Sequence, residues 1–461
     1  MDIVRLVETK FLSVAKKILE TLEGETDYLS FEMALKKELD SLGCETLKML
    51  LQTLEQKIYE SDERKRSWKV VRKNDRKEIL TPFGMVQFKR RYYRNSNSRE
   101  YKYLVDEKVS ITPHLRVGIN LKAQLTEVAS EVSYEAATVQ VSRDNAEIKV
   151  SKQTAANCVK EFEAKEPSGT AKKRRVEKLF VEADEDHVKV RGRNGAQARL
   201  IYVHEGVEEQ PRRRLKNARY FTAIDKTPEE FWMVVCDYIA AHYELSSIKE
   251  IYLSGDGAKW IQAGKEYIPR VIYILDKFHL AKYIIRATAH APGLKSRVYQ
   301  AIRKLDKQAA LGTLQEALEL AEKPARQKRI QDTMKYIKNN WDGIEASVKH
   351  PSVGCSAEGH VSHILSARLS SRPMAWSTVG VGNMASMRAV RANKESVRAH
   401  YLAAKKPSPA LVEIDQEVKR ELRRLEEKML GKEYIGNVPL YKGKSNLTRD
   451  ALRGLSGQMV I

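Results

Sequence analysis

Cysteine is scarce in this chain: four residues in 461, at Cys44, Cys158, Cys236 and Cys355, with no C-x-x-C pair among them. That scatter excludes a disulfide framework and a cysteine-built structural zinc site, and it suits a reducing compartment. Long apolar runs are also missing. No stretch approaches the roughly 20 apolar residues that a membrane-spanning helix needs. The opening segment MDIVRLVETKFLSVAKK has neither the apolar core nor the small-residue cleavage site of a secretory signal, and it reads as an amphipathic helix. There is no lipidation signal, no tandem repeat and no low-complexity tract. The expected setting is cytoplasmic, with no membrane partner.

Negative charge is in deficit. Acids number 61 against 82 Lys and Arg, giving a formal net charge of +21. Such an excess favours a polyanionic partner, because each neutralised phosphate releases condensed counterions. DNA is the first expectation; charge alone leaves RNA, or a merely basic soluble surface, open.

The length allows two or three domains. Residues 1–66 read as helical, with apolar residues at three and four spacing such as Leu47, Leu50, Leu51, Leu54 and Ile58. Residues 67–114 form a small basic β region. There KEILTPFGMVQFKRRYYR reads as two strands around a Pro/Gly turn, the second ending in Lys89, Arg90, Arg91, Tyr92, Tyr93 and Arg94. Cations interleaved with aromatics can grip phosphates and stack on bases. An edge strand kept soluble by charge has the same look. Residues 115–165 read as three helices, the last opened by Ser151 as N-cap. Lys152, Gln153, Thr154, Asn157 and Lys160 on that last helix fit a helix-turn-helix-like DNA-binding region, although polar outer faces that touch nothing are also common. Residues 166–177, broken by Pro167, Ser168 and Gly169 and carrying KKRR, read as a linker.

The pattern then changes. Over 178–278 come three strands (KLFVEADEDHVKV, ARLIYVHEGV, ARYFTAI), a helix capped by Thr227 with Pro228 in its first turn, a strand ending in Asp256, a short helix and a fifth strand. That is the order of a ribonuclease-H-like core, an antiparallel meander feeding parallel crossovers. Residues 279–350 show no strand signal and read as an all-α insertion. Residues 351–408 complete the core with a helix, and 409–461 carry a charged helix and a basic tail. The expected fold class is a multidomain α/β protein: a ribonuclease-H-like catalytic domain with an all-α insertion, preceded by mainly helical DNA-binding modules.

Three acids in different settings are the candidates for chemistry. Asp184 lies on the first strand, where alternation puts Glu182, Asp184 and Asp186 on one face and Glu185 on the other. Buried charge is costly unless paired or metal-bound, so the row points to a cation or to a strand running out into solvent. Asp186 is the rival first acid. Asp256 ends an apolar strand in Asp-Gly, where α/β sheets place ligands and where simple turns also occur. Glu358 opens a helix behind Ser356. Val361 and Leu365 follow three and seven residues on, which puts Glu358 on their side; an acid there also answers the helix macrodipole. His279, in a D-x-x-H with Asp276, and Arg368 and Arg372 are candidates for phosphate contact or active-site support. His360 and His363 have a zinc-compatible spacing but no partner set nearby.

VEADEDHV, YLSGDGAKWI, the D-x-x-H in ILDKFHLAKY and CSAEGHVSHILSARLSSRP together resemble the signature blocks of the ISLre-type bacterial insertion-sequence transposases. These are members of the DDE superfamily with a Mutator-like layout, once grouped as an uncharacterised protein family. The upstream TPFG…FKRRYYR and YKYLVDEKV segments share the likeness. The resemblance implies a DDE triad of Asp184, Asp256 and Glu358 holding two Mg²⁺ ions, with Mn²⁺ as a substitute. It also implies DNA strand cleavage and strand transfer at terminal inverted repeats, by a homodimer or higher oligomer. Two departures stand out. Asp-Glu replaces Asp-Gly at the first acid, and Asp276 replaces the Cys of the C-x-x-H found in related enzymes. Two rivals remain: a ribonuclease-H-like nuclease that does not join ends, and a non-catalytic sequence-specific DNA-binding protein derived from a transposase.

Overall fold

The computed structural model describes residues 9, 11–16, 27–143, 145, 147–164, 172–211, 213–372 and 374–405. The charged helix and basic tail expected over 409–461, most of the first 26 residues and the start of the linker lie outside the described residues. The chain divides into two compact units, with the boundary between Arg116 and Val117.

The first unit begins with a long helix, α1 (Tyr28–Glu60), whose N-terminus is capped by the Asp27 carboxylate accepting from the Ser30 N–H at 2.8 Å. A short α2 (Asp62–Ser67) leads into an antiparallel hairpin of β1 (Trp68–Thr81) and β2 (Gly84–Asn95). β1 runs well beyond the segment that the sequence pattern marks, whereas β2 matches its segment to within one residue at each end. A two-residue β3 (Tyr101–Lys102) pairs with β2, and α3 (Leu104–Lys108) follows. Ile79, Phe88 and Val105 form the small core. Glu55, buried on α1, accepts the Tyr93 hydroxyl at 3.0 Å and the Arg91 backbone N–H at 3.2 Å, which pins the helix to the sheet.

The second unit opens with three helices, α4 (Ile119–Ala129), α5 (Tyr134–Ser142) and α6 (Lys152–Lys160). Ser151 caps α6 as its sequence position predicts, its side chain accepting from the Thr154 N–H. The sheet strands are β4 (Lys178–Val188), β5 (Ala196–His204), β8 (Arg219–Ile224), β9 (Glu250–Gly255) and β10 (Val271–Leu275), with β6 (Val207–Glu208) and β7 (Arg214–Leu215) as a separate small hairpin. The spatial order is β10-β9-β4-β5-β8. β4, β5 and β8 are antiparallel neighbours, whereas β4, β9 and β10 are parallel. The crossover from β8 to β9 runs through α7 (Pro228–His242), where Thr227 and Glu230 form the reciprocal capping box that Thr-Pro-x-Glu favours. α8 (Lys259–Gln262) and α9 (Gly264–Tyr267) connect β9 to β10.

After β10 the chain is helical through α10 (Lys277–Thr288), α11 (Pro292–Arg303), α12 (Lys307–Glu319), α13 (Pro324–Asn339) and α14 (Trp341–Lys349). It returns to the sheet as α15 (Ala357–Val361), a π-helical segment Ser362–Ser366, α16 (Ala367–Leu369), α17 (Thr378–Ala392) and α18 (Val397–Ala404). The architecture is mixed α/β, with helices on both faces of a mixed sheet.

Strand alternation decides what each face meets. Leu179, Val181, Ala183, Ile201 and Val203 point to α7 and the inserted helices. Leu200 and Tyr202 point to the opposite core, made with Ala357, Val361 and residues of α17. Ala155, Cys158 and Val159 of α6 belong to that same core, so α4–α6 are built into the sheet-bearing unit. No described helix is long and apolar enough to cross a membrane.

Trp232 of α7 is fully buried, and its Nε1 donates to the Trp260 carbonyl at 2.8 Å. Trp232→Ala should lower stability by about 3–5 kcal/mol, as large-to-small substitutions in packed cores do. The measurement is a urea titration, in which the midpoint should fall with little change in slope.

Candidate active site

The acid row on β4 faces the α15–α17 side of the sheet, and its members meet different fates. Glu182 is buried and fully engaged. It accepts the Tyr202 hydroxyl at 2.6 Å, faces His204 Nε2 at 3.0 Å, and takes the backbone N–H and hydroxyl of Ser356 just ahead of α15. Burial pushes its carboxyl up, but the bonds from His204, Tyr202 and Ser356 outweigh this and hold it below the usual value. Asp186 is half-buried and accepts the Ser370 hydroxyl at 2.6 Å. Glu185 points the other way, as alternation requires, and takes the Trp260 indole N–H.

Asp184 is only 9 % exposed and has one hydrogen bond, from the neighbouring Glu185 N–H at 2.8 Å. Burial raises its pKa to about 6; the nearby Asp256 charge adds to the rise, and the Glu185 N–H and His279 oppose it. Strand order accounts for this: β4 and β9 are parallel neighbours whose pairing ends with Glu182 opposite Ser254, and Asp184 and Asp256 each follow two residues on.

Asp256 sits in the turn after β9, where its Oδ1 accepts the Ala258 N–H at 2.8 Å. Gly257 follows at φ +97, and a Cβ there would lie 2.7 Å from Asn340 Oδ1. Only glycine fits this close approach in that backbone conformation. Asn340 also accepts from Gln262 at 2.7 Å, and Tyr336 donates its hydroxyl to the Asp256 carbonyl at 2.6 Å, so the inserted helices brace the Asp256 turn. Beside it lies a groove of about 970 Å³ lined by Lys259, Arg286, Arg329 and Lys335, with Asp332 as the one acid.

Asp276 caps α10 and holds His279 Nδ1 at 2.7 Å. That hydrogen bond raises the His279 pKa above its ordinary value, burial opposes it, and the charges of Asp276, Asp256 and Asp184 add to the rise. His279 therefore stays cationic to higher pH beside the paired acids.

The other expected residues fall elsewhere. Glu358 heads α15, but on its exposed side, and it does not share the side of Val361 and Leu365. Ala357 and Val361 take the buried row instead, and the π turn after Val361 resets the helical phase that simple spacing assumes. Among the described residues no three His, Cys, Asp or Glu side chains come together as a metal cluster. Arg368 is buried, donating from Nε to the Ala129 carbonyl at 3.2 Å and lying between Tyr134 and Trp376. It therefore supports the fold and is closed to a phosphate; Arg372 is exposed. His360 lies tilted against Tyr202, ring centroids 4.6 Å apart, and His363 is exposed. On α6, Lys152, Gln153, Asn157 and Lys160 are exposed and Thr154 half-buried, with Gln153 bonded to Asn157 at 2.9 Å. On β2, Lys89 is exposed, Arg90 is paired with Asp106, and Arg91 is held by Glu55 and Gln56.

Sequence reasoning missed the Glu182–Tyr202–His204–Ser356 network and the bracing of Asp256 by Tyr336 and Asn340. The first left a faint signal, since Tyr202 and His204 lie two apart on the strand next to an acid row. The second left none, because it spans 80 residues.

The pattern that defines the uncharacterised protein family UPF0236 matches residues 26–406. The chain belongs to that family. Among its similar relatives is UPF0236 protein TTE2489 of Caldanaerobacter subterraneus subsp. tengcongensis, 35 % identical over 433 residues that cover 93 % of this chain and 92 % of the relative. A second protein of that organism, equally identical over 93 % of this chain and 91 % of its own, has a printed name that joins eleven loci, from TTE0033 to TTE2212. A UPF0236 protein from the vanSb 3' region of Streptococcus gallolyticus is 23 % identical over 343 residues, or 71 % of this chain and 74 % of the relative. The family match takes in residues 26–116 of the first unit and the whole of the second in this UPF0236 protein.

The paired acids carry a pH signature. In metal-free protein, Asp184 ionises near 3.8 when unfolded and about 6 when folded. Its contribution to stability is thus fully present below the lower value and lost as pH rises through about 6. Asp184→Asn should therefore be more stable than wild type at pH 7.5, by up to about 3 kcal/mol. The gain should vanish below about pH 4 in urea titrations run at both pH values.

Proposed function

We propose that this UPF0236 protein is a DDE-type DNA transposase with a ribonuclease-H-like core, which binds terminal inverted repeats and catalyses Mg²⁺-dependent strand cleavage and strand transfer. The observation that carries the reading is the register of the parallel strands β4 and β9: their pairing ends with Glu182 opposite Ser254, and Asp184, which is buried, and Asp256 each follow two residues on. Two carboxylates brought together with so little compensation suit a hard divalent cation. Mg²⁺ fits because it takes one or two carboxylates and keeps its remaining waters. The sheet order, the all-helical insertion and the basic groove beside Asp256 fit the same reading. So does a relative whose name joins eleven loci of one genome, as expected of a gene that multiplies within it.

In this mechanism Asp184 and Asp256 would hold the metal, with the exposed Glu358 as the third ligand. When bound, the ions would supply acidification of the attacking water or 3′-hydroxyl and stabilisation of the leaving 3′-oxygen. Lys259, Arg286, Arg329 and Lys335 position the phosphodiester backbone. His279, held by Asp276 and with its pKa raised by that bond, would offset phosphate charge next to the acids. Glu182 makes no contact with DNA in this scheme; it ties the head of α15 to β4. Cleavage and joining of paired ends call for a dimer or higher assembly on DNA.

One observation favours a second reading, a DNA-binding protein without catalysis: Glu358 is exposed and outside the coupled pair. The test uses duplexes carrying the inverted repeats that flank the gene. With Mg²⁺ or Mn²⁺ the wild type should nick and join them, and with EDTA it should do neither. Asp184→Asn, Asp256→Asn and Glu358→Gln should each lower cleavage by at least about 10³-fold while leaving DNA affinity near wild type. Undiminished cleavage in the two Asp variants overturns the catalytic assignment. Cleavage with no joined product supports the nuclease alternative, and binding without cleavage in the wild type supports the non-catalytic one.

A further inference from the structure

The first unit contains a groove of about 1040 Å³ between β1, β2, β3 and the segment after α3. Its cations divide into two sets. Arg90 is paired with Asp106, and Lys102 with Glu107 at 3.2 Å. Arg76, Lys77 and Arg116 line the same groove, with Glu78 as the remaining acid.

Lys77 is the unusual member. It is only 8 % exposed, yet it lines the groove, and among the described residues its ammonium has no hydrogen bond or ion pair. Burial, and then the like charges of Arg90 and Arg116, lower its pKa. A lysine buried against two arginines is unfavourable in the free protein, because both desolvation and repulsion act on the ammonium. An anion entering the groove would relieve both effects together.

The aromatic side of the groove is equally ordered. Tyr92 and Tyr101 stack with centroids 5.8 Å apart and planes 21° apart. Tyr103 lies 4.8 Å from Tyr92, fixed by its hydroxyl bond to Asp75 at 2.8 Å and by the Arg90 guanidinium 3.6 Å over its ring. Tyr101 remains 47 % exposed at the end of this stack.

We propose that this groove binds an unpaired nucleic-acid strand, with a phosphate on Lys77 and Arg116 and a base on the open end of the tyrosine stack at Tyr101. The proposal rests on the nucleic-acid reading above and extends it to a site separate from the paired acids. A duplex hides the faces of its bases, whereas a single strand offers base faces and phosphates together. A small anion would engage the lysine but gain nothing from the rings.

The experiment is a titration of the full chain with fluorescent dT20 and with a 20-base-pair duplex, by anisotropy, across a range of salt concentrations. Tyr101→Ala should weaken dT20 binding by about 5- to 100-fold through lost stacking. Lys77→Met and Arg116→Ala should each weaken it by roughly tenfold and reduce the salt slope by about 0.7, the value for one phosphate on a single strand. Duplex affinity should change by less than about twofold in all three. Tyr101 and Arg116 are exposed, so they carry the test even if Lys77→Met disturbs folding, which thermal melting would reveal. If dT20 affinity and salt slope stay at wild-type values in Tyr101→Ala and Arg116→Ala, the proposal is overturned. It is equally overturned if duplex binding falls as much as strand binding. Asp184→Asn run in parallel should bind dT20 normally. Loss of cleavage there with intact binding in the groove variants would remove this inference alone, whereas a wild type that binds no DNA would remove both.

Discussion

A buried strand carrying carboxylates on one face is the constraint around which the second unit is organised. Little water reaches Glu182 and Asp184 on β4, with Asp186 half-buried beyond them, and each buried charge must find compensation or remain costly. Glu182 finds it within the protein, from a tyrosine, a histidine and a backbone N–H that also anchors α15. Asp186 finds it in a serine hydroxyl. Asp184, between them, has one local backbone donor and a like-charged neighbour across the strand pair. Of the row, Asp184 thus has the least compensation from within the protein, which is what the proposed cation would supply.

The parts of this that were legible in the sequence depend on local chemistry. Strand alternation sorted Glu185 from Glu182, Asp184 and Asp186, and Trp260 and Ser356 meet them on the expected sides. Thr227-Pro228 and Ser151 announced helix starts, because caps are short-range and the residues that make them are few. The meander followed by crossovers was visible as three strands in a row before the first long helix. Glu358 was harder. Its side of α15 depends on which of two adjacent rows is buried, and Ala357 took the row that spacing from Val361 and Leu365 had assigned to the acid. Nothing local in SAEGHVSHIL marks the π turn that follows it.

Charge shows the same limit. The formal excess of +21 is a sum over the chain and does not say which cations are free. Arg90 and Arg91 look like phosphate grips in FKRRYYR, yet each is held by acids whose place is set by tertiary packing. Arg368 is enclosed by aromatic rings. Lys77, which no motif distinguishes, is buried in a groove lining without an ion pair of its own among the described residues. Basic composition raises the expectation of a polyanionic partner; which side chains are free to meet one depends on how the internal acids are distributed.

The inserted helices, finally, are mechanically part of the second acid's turn. Tyr336 holds the Asp256 carbonyl, and Asn340 fills the space that the missing side chain of Gly257 leaves open. A segment that looks dispensable on a topology diagram therefore works as a buttress. A version trimmed back to the sheet would leave the Asp256 turn without its outer wall.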